Sequence, residues 1–134
     1  MIVDSSAILA ILFREPGFEV FLQAILDSRP CSISAASLVE ISIVIESRGG
    51  DAVVLQWDSF LRTSGILVAP VTEEQAFIAR QGYSDYGKGR HPAGLNFGDC
   101  FSYALAKATG EPLLFKGEDF RLTDVQPALP KGVP

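Results

Sequence analysis

Asp4, Glu40, Asp99 and Asp119 are four acids spread along the chain. They are of the side-chain type that holds a divalent cation. Carboxylate oxygens are hard ligands, and Mg²⁺ accepts a few of them while keeping several waters. A cation held in this way can activate a water and stabilise charge on the attacking and leaving oxygens of a phosphodiester. No histidine nucleophile is needed, which suits a chain whose one histidine, His91, lies in a Gly-rich segment. The G-x-S-x-G, H-E-x-x-H and G-x-x-x-x-G-K-S/T patterns are absent, so those serine, zinc and phosphate-loop chemistries are set aside.

Each acid also admits a plainer role. Asp4 ends an apolar run and could cap the next helix, although Ser5 and Ser6 could cap it as well. Glu40 sits among Leu38, Val39, Ile41, Ile43, Val44 and Ile45, a helix apolar on nearly every side and therefore expected to be buried. A carboxylate buried there needs compensation, from a cation or from an arginine such as Arg14 or Arg48. Asp99 opens a helix, where an acid also serves the helix dipole. Asp119 follows Lys116-Gly117-Glu118, and Glu118 or Asp124 could take its place. Arg80, Lys88 and Arg90 lie near Tyr83 and Tyr86; cations meet phosphates and aromatics stack on bases, but exposed loops collect such residues anyway.

The elements that must position these residues follow from periodicity and punctuation. Short apolar runs at 1–4, 31–34, 66–71 and 112–115 read as strands, with a short last one at 125–127. Helical spacing covers 7–13, 18–28, 36–47, 51–64, 72–83 and 99–109. Thr72 and Gln75 have capping-box spacing, and Gly110 ends the last helix. Residues 82–98, rich in Gly, form the one long loop. Strands alternating with helices predict an α/β fold with a mostly parallel sheet covered on both faces, all within one domain spanning 1–134. In such sheets functional groups gather at the carboxyl ends of strands, where Asp4 and the 116–119 turn fall.

Composition narrows the class further. At 134 residues, 48% hydrophobic and 20% charged, the chain can bury a core and is not expected to be disordered. The Met1-Ile2-Val3-Asp4 start lacks the basic stretch of a secretory signal. No apolar run approaches the roughly 18 residues of a membrane helix. Cys31 and Cys100 have no metal-site spacing and read as buried thiols, so a cytoplasmic location is expected. A net charge of -5 argues against non-specific nucleic-acid binding unless cations offset the acids.

Four segments carry a family resemblance. Met1-Ile2-Val3-Asp4-Ser5-Ser6-Ala7, Ser37-Leu38-Val39-Glu40, the run from Leu95-Asn96-Phe97-Gly98-Asp99 to Ala106, and Leu113-Leu114-Phe115-Lys116-Gly117-Glu118-Asp119-Phe120 resemble, in order, the acidic motifs of PIN-domain proteins. The nearest subgroup is the VapC-type toxin of bacterial toxin–antitoxin pairs. The resemblance implies a three-layer α/β/α sandwich and endoribonuclease activity dependent on Mg²⁺ or Mn²⁺. It also implies a homodimer and a VapB-type antitoxin that blocks the site. On this reading Asp4, Glu40, Asp99 and Asp119 are the catalytic metal ligands, Ser6 and Asn96 are polar supports behind them, and Arg80, Lys88 and Arg90 contact RNA. Surplus apolar surface would face the second subunit or the antitoxin.

Three rivals share parts of this pattern. A PIN-like RNA- or protein-binding module without activity would keep the fold. A phosphoacceptor domain would want adjacent acids after the first strand and an Asp ending the strand at 66–71, and has neither. A metal-dependent phosphatase or DNA nuclease could use the same ligands, because sugar selectivity comes from 2′-OH contacts.

Overall fold

The computed structural model describes residues 1–133. Its elements run β1 (Ile2–Val3), α1 (Ser5–Leu12), α2 (Phe18–Asp27), β2 (Ser32–Ser34), α3 (Ala35–Arg48), α4 (Gly50–Thr63), β3 (Leu67–Ala69), α5 (Glu73–Tyr86), α6 (Phe97–Thr109) and β4 (Leu113–Leu114). A short 3-10 helix, Asp119–Leu122, follows. The strands form one sheet in the order β3-β2-β1-β4, and every pairing is parallel.

Neighbouring residues of a strand point to opposite faces, and this alternation makes the layers. Val3, Ile33 and Leu114 enter one core with Ile8, Phe21, Ile25, Ile41 and Trp57 from α1 to α4. Ile2 and Leu113 enter a second core with Tyr103, Ala104 and Leu105 of α6 and Ala79 of α5. The result is the expected three-layer α/β/α sandwich.

Strand order then locates the functional edge. From β1 the chain adds β2 and β3 on one side, and β4 returns to the other side of β1. The sheet therefore reverses its winding between β1 and β4. Ligand sites of open parallel sheets lie outside the carboxyl ends of the strands at such a reversal. Asp4 ends β1 beside the end of β4, and its N–H donates to the Leu114 carbonyl at 2.8 Å.

Several elements depart from the sequence reading. Helix α5 does not fade near Tyr83 but continues to Tyr86, and Gly82 lies within it. It persists because Gly82 packs directly on the Tyr103 ring, so packing outweighs the poor helix propensity of glycine. Helix α6 begins at Phe97, two residues before Asp99, because Asn96 is the cap. The expected last strand reduces to one bridge, between Pro127 and Leu113. Helix α3 is not buried all round: Val39 and Ile43 are exposed, and only Ser37, Ile41 and Ile45 are fully covered.

The α5–α6 contact gives a test in which two effects oppose. A Gly82→Ala change gains about 1 kcal/mol of helix propensity. Its Cβ would stand 2.7 Å from two ring carbons of Tyr103, whose hydroxyl is itself held by Asp124. Overpacking of this kind costs about 1–3 kcal/mol, so the variant is expected to be less stable in urea. A more stable variant would show that the ring yields.

Candidate active site

Asp4 is 2% exposed, the most enclosed acid of the set. The sequence reading held that Ser5 or Ser6 could cap α1 in its place, but Asp4 is itself the cap. Its Oδ2 accepts from the Ser6 N–H at 3.0 Å, and the positive end of the α1 dipole lies against it. Its Oδ1 is buried and receives no hydrogen bond from any described group. A buried carboxylate oxygen left without a donor is costly, and it points to a ligand that the chain does not itself supply. Ser6 also ties the strand ends together, because its Oγ accepts from the Lys116 N–H at 3.0 Å. Lys116 Nζ pairs with Glu15.

Glu40 reaches the same edge from α3 and is half-buried. Neither Arg14 nor Arg48 is its partner; Arg48 stacks over Phe13 instead. Ser5 Oγ donates to Glu40 Oε1 at 2.5 Å, so the residue after Asp4 holds the second acid. On its other side Glu40 meets Gly98. A Cβ built at Gly98 would fall 1.9 Å from Glu40 Oε2, so only glycine admits the carboxylate there. Ser5 and Gly98 were missed as site residues by sequence reasoning. The one local hint was a glycine in the first turn of a helix, where it weakens the helix without ending it.

Asp99 is fixed by a reciprocal capping box. The Asn96 N–H donates to Asp99 Oδ2 at 3.0 Å, and the Asp99 N–H donates to Asn96 Oδ1 at 2.9 Å. Burial pushes the Asp99 carboxyl up to about 6; the Asn96 N–H opposes this, and the charges of Asp4, Glu40 and Asp119 add to it. Charge from three separate elements thus converges on Asp99.

Asp119 is exposed at the start of the 3-10 helix. The two substitutes considered for it are engaged elsewhere. Asp124 accepts from Tyr103 Oη at 2.8 Å and Lys107 Nζ at 2.9 Å. Burial alone would raise its carboxyl, but those two donors hold it below the usual range. Glu118 lies 3.7 Å from Arg121 Nε, an ion pair too long for a hydrogen bond.

The four acids share one edge without forming a finished cage. Among the described residues no three His, Cys, Asp or Glu side chains are drawn together as a ready metal-ligand group. Beside them Arg80 and Lys88 border a cavity that also touches Asn96. Arg90 lies over the Tyr83 ring, 5.8 Å from its centroid. His91 is held in the loop, where its Nδ1 accepts from the Ala93 N–H at 3.0 Å.

The Asp99 carboxyl, raised mainly by burial and further by its acidic neighbours, gives a pH effect of testable sign. The ordinary carboxyl value is 3.8, so between about pH 4 and 6 the folded, metal-free chain binds this proton more tightly than the unfolded chain. Stability therefore falls as pH rises through that window. Asp99→Asn removes the charge and keeps an oxygen for the Asn96 N–H. In chelator at pH 7 it is expected to be more stable than the parent chain. The gain is on the order of 1 kcal/mol, discounted for partial solvent access. The difference should vanish at pH 4, and equal stability at pH 7 would contradict a raised Asp99 carboxyl.

Comparison with known proteins places the chain in a family. The family model of the PIN domain matches residues 1–126. Ribonuclease VapC of Mycolicibacterium smegmatis is 52% identical over 125 residues, which cover 93% of this chain and 97% of that protein. Ribonuclease VapC30 of Mycobacterium tuberculosis is 47% identical over 125 residues, covering 93% and 95%. Among solved structures, VapC20 of Mycobacterium tuberculosis, described as a sarcin-ricin loop cleaving toxin, superposes with a TM-score of 0.70 at 17% identity, covering 94% and 98%. VapBC2 of Rickettsia felis, bound to a promoter DNA fragment, gives 0.73 at 13% identity, covering 93% and 94%. The two structures speak for the fold, whereas the near-full-length relatives and the matched domain carry the assignment: the chain belongs to the PIN-domain family, among its VapC members.

Proposed function

We propose that this chain is a divalent-metal-dependent endoribonuclease, the toxin of a toxin–antitoxin pair acting in the cytoplasm. The observation that carries the reading is the orphaned Asp4 Oδ1, buried at the winding reversal beside acids whose charges meet at Asp99. An all-oxygen donor set of this kind fits Mg²⁺ or Mn²⁺ better than a soft-ligand metal. Asp4, Glu40, Asp99 and Asp119 are the residues that would hold the cation. When bound there, it supplies the charge that activates a water and stabilises the phosphate oxygens.

The chain's own residues do the positioning. Ser5 holds the Glu40 carboxylate, and Asn96 aligns Asp99 through the capping box. Ser6 joins the ends of β1 and β4, which keeps Asp4 beside the Asp119 turn. Arg80, Lys88 and Arg90 meet the RNA backbone. The names of the relatives support RNA as substrate, and Rickettsia felis VapBC2 supports a VapB-type antitoxin as partner. Exposed Val39 and Ile43 on α3 and Leu55 on α4 offer apolar surface for a second copy or the antitoxin. Two unpaired, buried cysteines suit a reducing compartment, and no helix among the described residues is long and apolar enough to cross a membrane.

Two experiments test the reading. Expression of the intact chain and of Asp99→Asn in bacterial cells, followed by sequencing of new RNA ends, is expected to give sharp cuts with the intact chain only. Identical RNA ends at equal folded levels would leave the binding-module reading instead. Gly98→Ala should displace the Glu40 carboxylate, a movable chain end, while leaving the cores intact. Calorimetry is expected to show Mn²⁺ affinity lowered by about 10- to 100-fold with an almost unchanged melting temperature. Unchanged affinity would remove Glu40 from the ligand set.

A further inference from the structure

We infer that the cavity between α5 and α6 is a nucleobase subsite, which takes one unpaired base of the RNA beside the cleaved phosphodiester. The inference rests on the ribonuclease reading above. The cavity measures about 620 Å³ and its walls are almost wholly apolar. Tyr83, Phe97 and Phe101 supply aromatic surface, and Arg80 and Lys88 stand on the lining with Asn96.

Three features favour a base as the occupant. First, Phe97 is 80% exposed although it opens a helix packed against the sheet. Its ring meets Phe101 edge-on, with centroids 4.9 Å apart, which holds it upright as a platform. Every base has a π-face, and stacking on such a platform is tolerant of sequence. Second, the charge is complementary. In a chain of net charge -5, Arg80 and Lys88 gather at this cavity and Arg90 lies over Tyr83. Tyr83 Oη donates to the Lys88 carbonyl at 3.3 Å, which ties the ring to the cationic loop. Third, the cavity adjoins the acids. Asn96 lines it and also caps Asp99, so a base seated there would have its phosphate beside the carboxylate edge. A base in a duplex would first have to be unpaired and unstacked, so a single-stranded segment suits the cavity best.

The test is binding of a fluorescein-labelled, random-sequence 12-nucleotide RNA to the full chain in EDTA, read by anisotropy, with sedimentation velocity on the same samples. Phe97→Ala is expected to weaken binding by at least about fivefold, the loss of one stacked base, and Phe97→Trp to retain it. Affinity within twofold of the parent chain for Phe97→Ala would overturn the proposal. If Phe97→Ala also dissociates an oligomer, photocrosslinking of 4-thiouridine RNA to the parent chain decides. Adducts at Tyr83, Phe97 or Phe101 support the base subsite, and adducts only elsewhere make the cavity an interface between copies. If the parent chain neither binds this RNA nor cuts RNA with Mn²⁺, the ribonuclease reading itself fails. Cleavage that persists unaltered in Phe97→Ala sinks the subsite alone.

Discussion

A carboxylate buried at the end of the central strand is the constraint on which the rest of the structure depends. Asp4 is nearly inaccessible, and a charge so placed is costly unless hydrogen bonds or opposite charge compensate it. Half of the compensation is internal: the first turn of α1 offers an N–H and the positive end of its dipole to Oδ2. The other half is left open at Oδ1. The same residue thus ends a strand, starts a helix and presents an unsatisfied oxygen at the one crevice where the sheet reverses its winding.

The remaining acids are brought to this point by elements that have separate structural reasons to be there. Helix α3 is anchored by Ile41 and Ile45 in one core, and α6 by Tyr103, Ala104 and Leu105 in the other. Glu40 and Asp99 therefore approach from opposite layers. Their meeting requires a gap in the α6 surface, which Gly98 provides, and a donor to hold Glu40, which Ser5 provides. Burying a carboxylate and gathering like charges both oppose folding in the absence of a cation, and the Asp99 carboxyl, raised first by burial and then by its acidic neighbours, registers both. The two hydrophobic cores counter that opposition, because Val3, Ile41, Cys100 and Phe120, each next to one of the acids, are buried in them.

Charge is also sorted in space. The acids occupy the carboxyl edge of the sheet, and Arg80 and Lys88 line a cavity on the α5 side of the first turn of α6, which carries Asp99. An overall charge of -5 is therefore a poor guide to what a polyanion meets locally.

Much of this was legible in the sequence. Alternating apolar strands and periodic helices specified a parallel sheet covered on both faces, because strand alternation and helical spacing are local properties. The positions of Asp4 and Asp119 at strand ends followed from the same pattern. Longer-range facts did not. The extent of α5 depended on Gly82 lying against Tyr103, and the exposure of Val39 and Ile43 depended on which side of α3 met its neighbours. Ser5 looked like a spare cap and Gly98 like a weak start to a helix. Each acquired its role from a partner dozens of residues away. The sequence by itself determined the layers, since residue type and period suffice for them, and its resemblance to a family singled out four acids that period alone left with plainer roles. Only the tertiary structure decided which oxygen of Asp4 stays unpaired, what holds Glu40 and how the acids share charge, because those depend on distances between elements that no local pattern encodes.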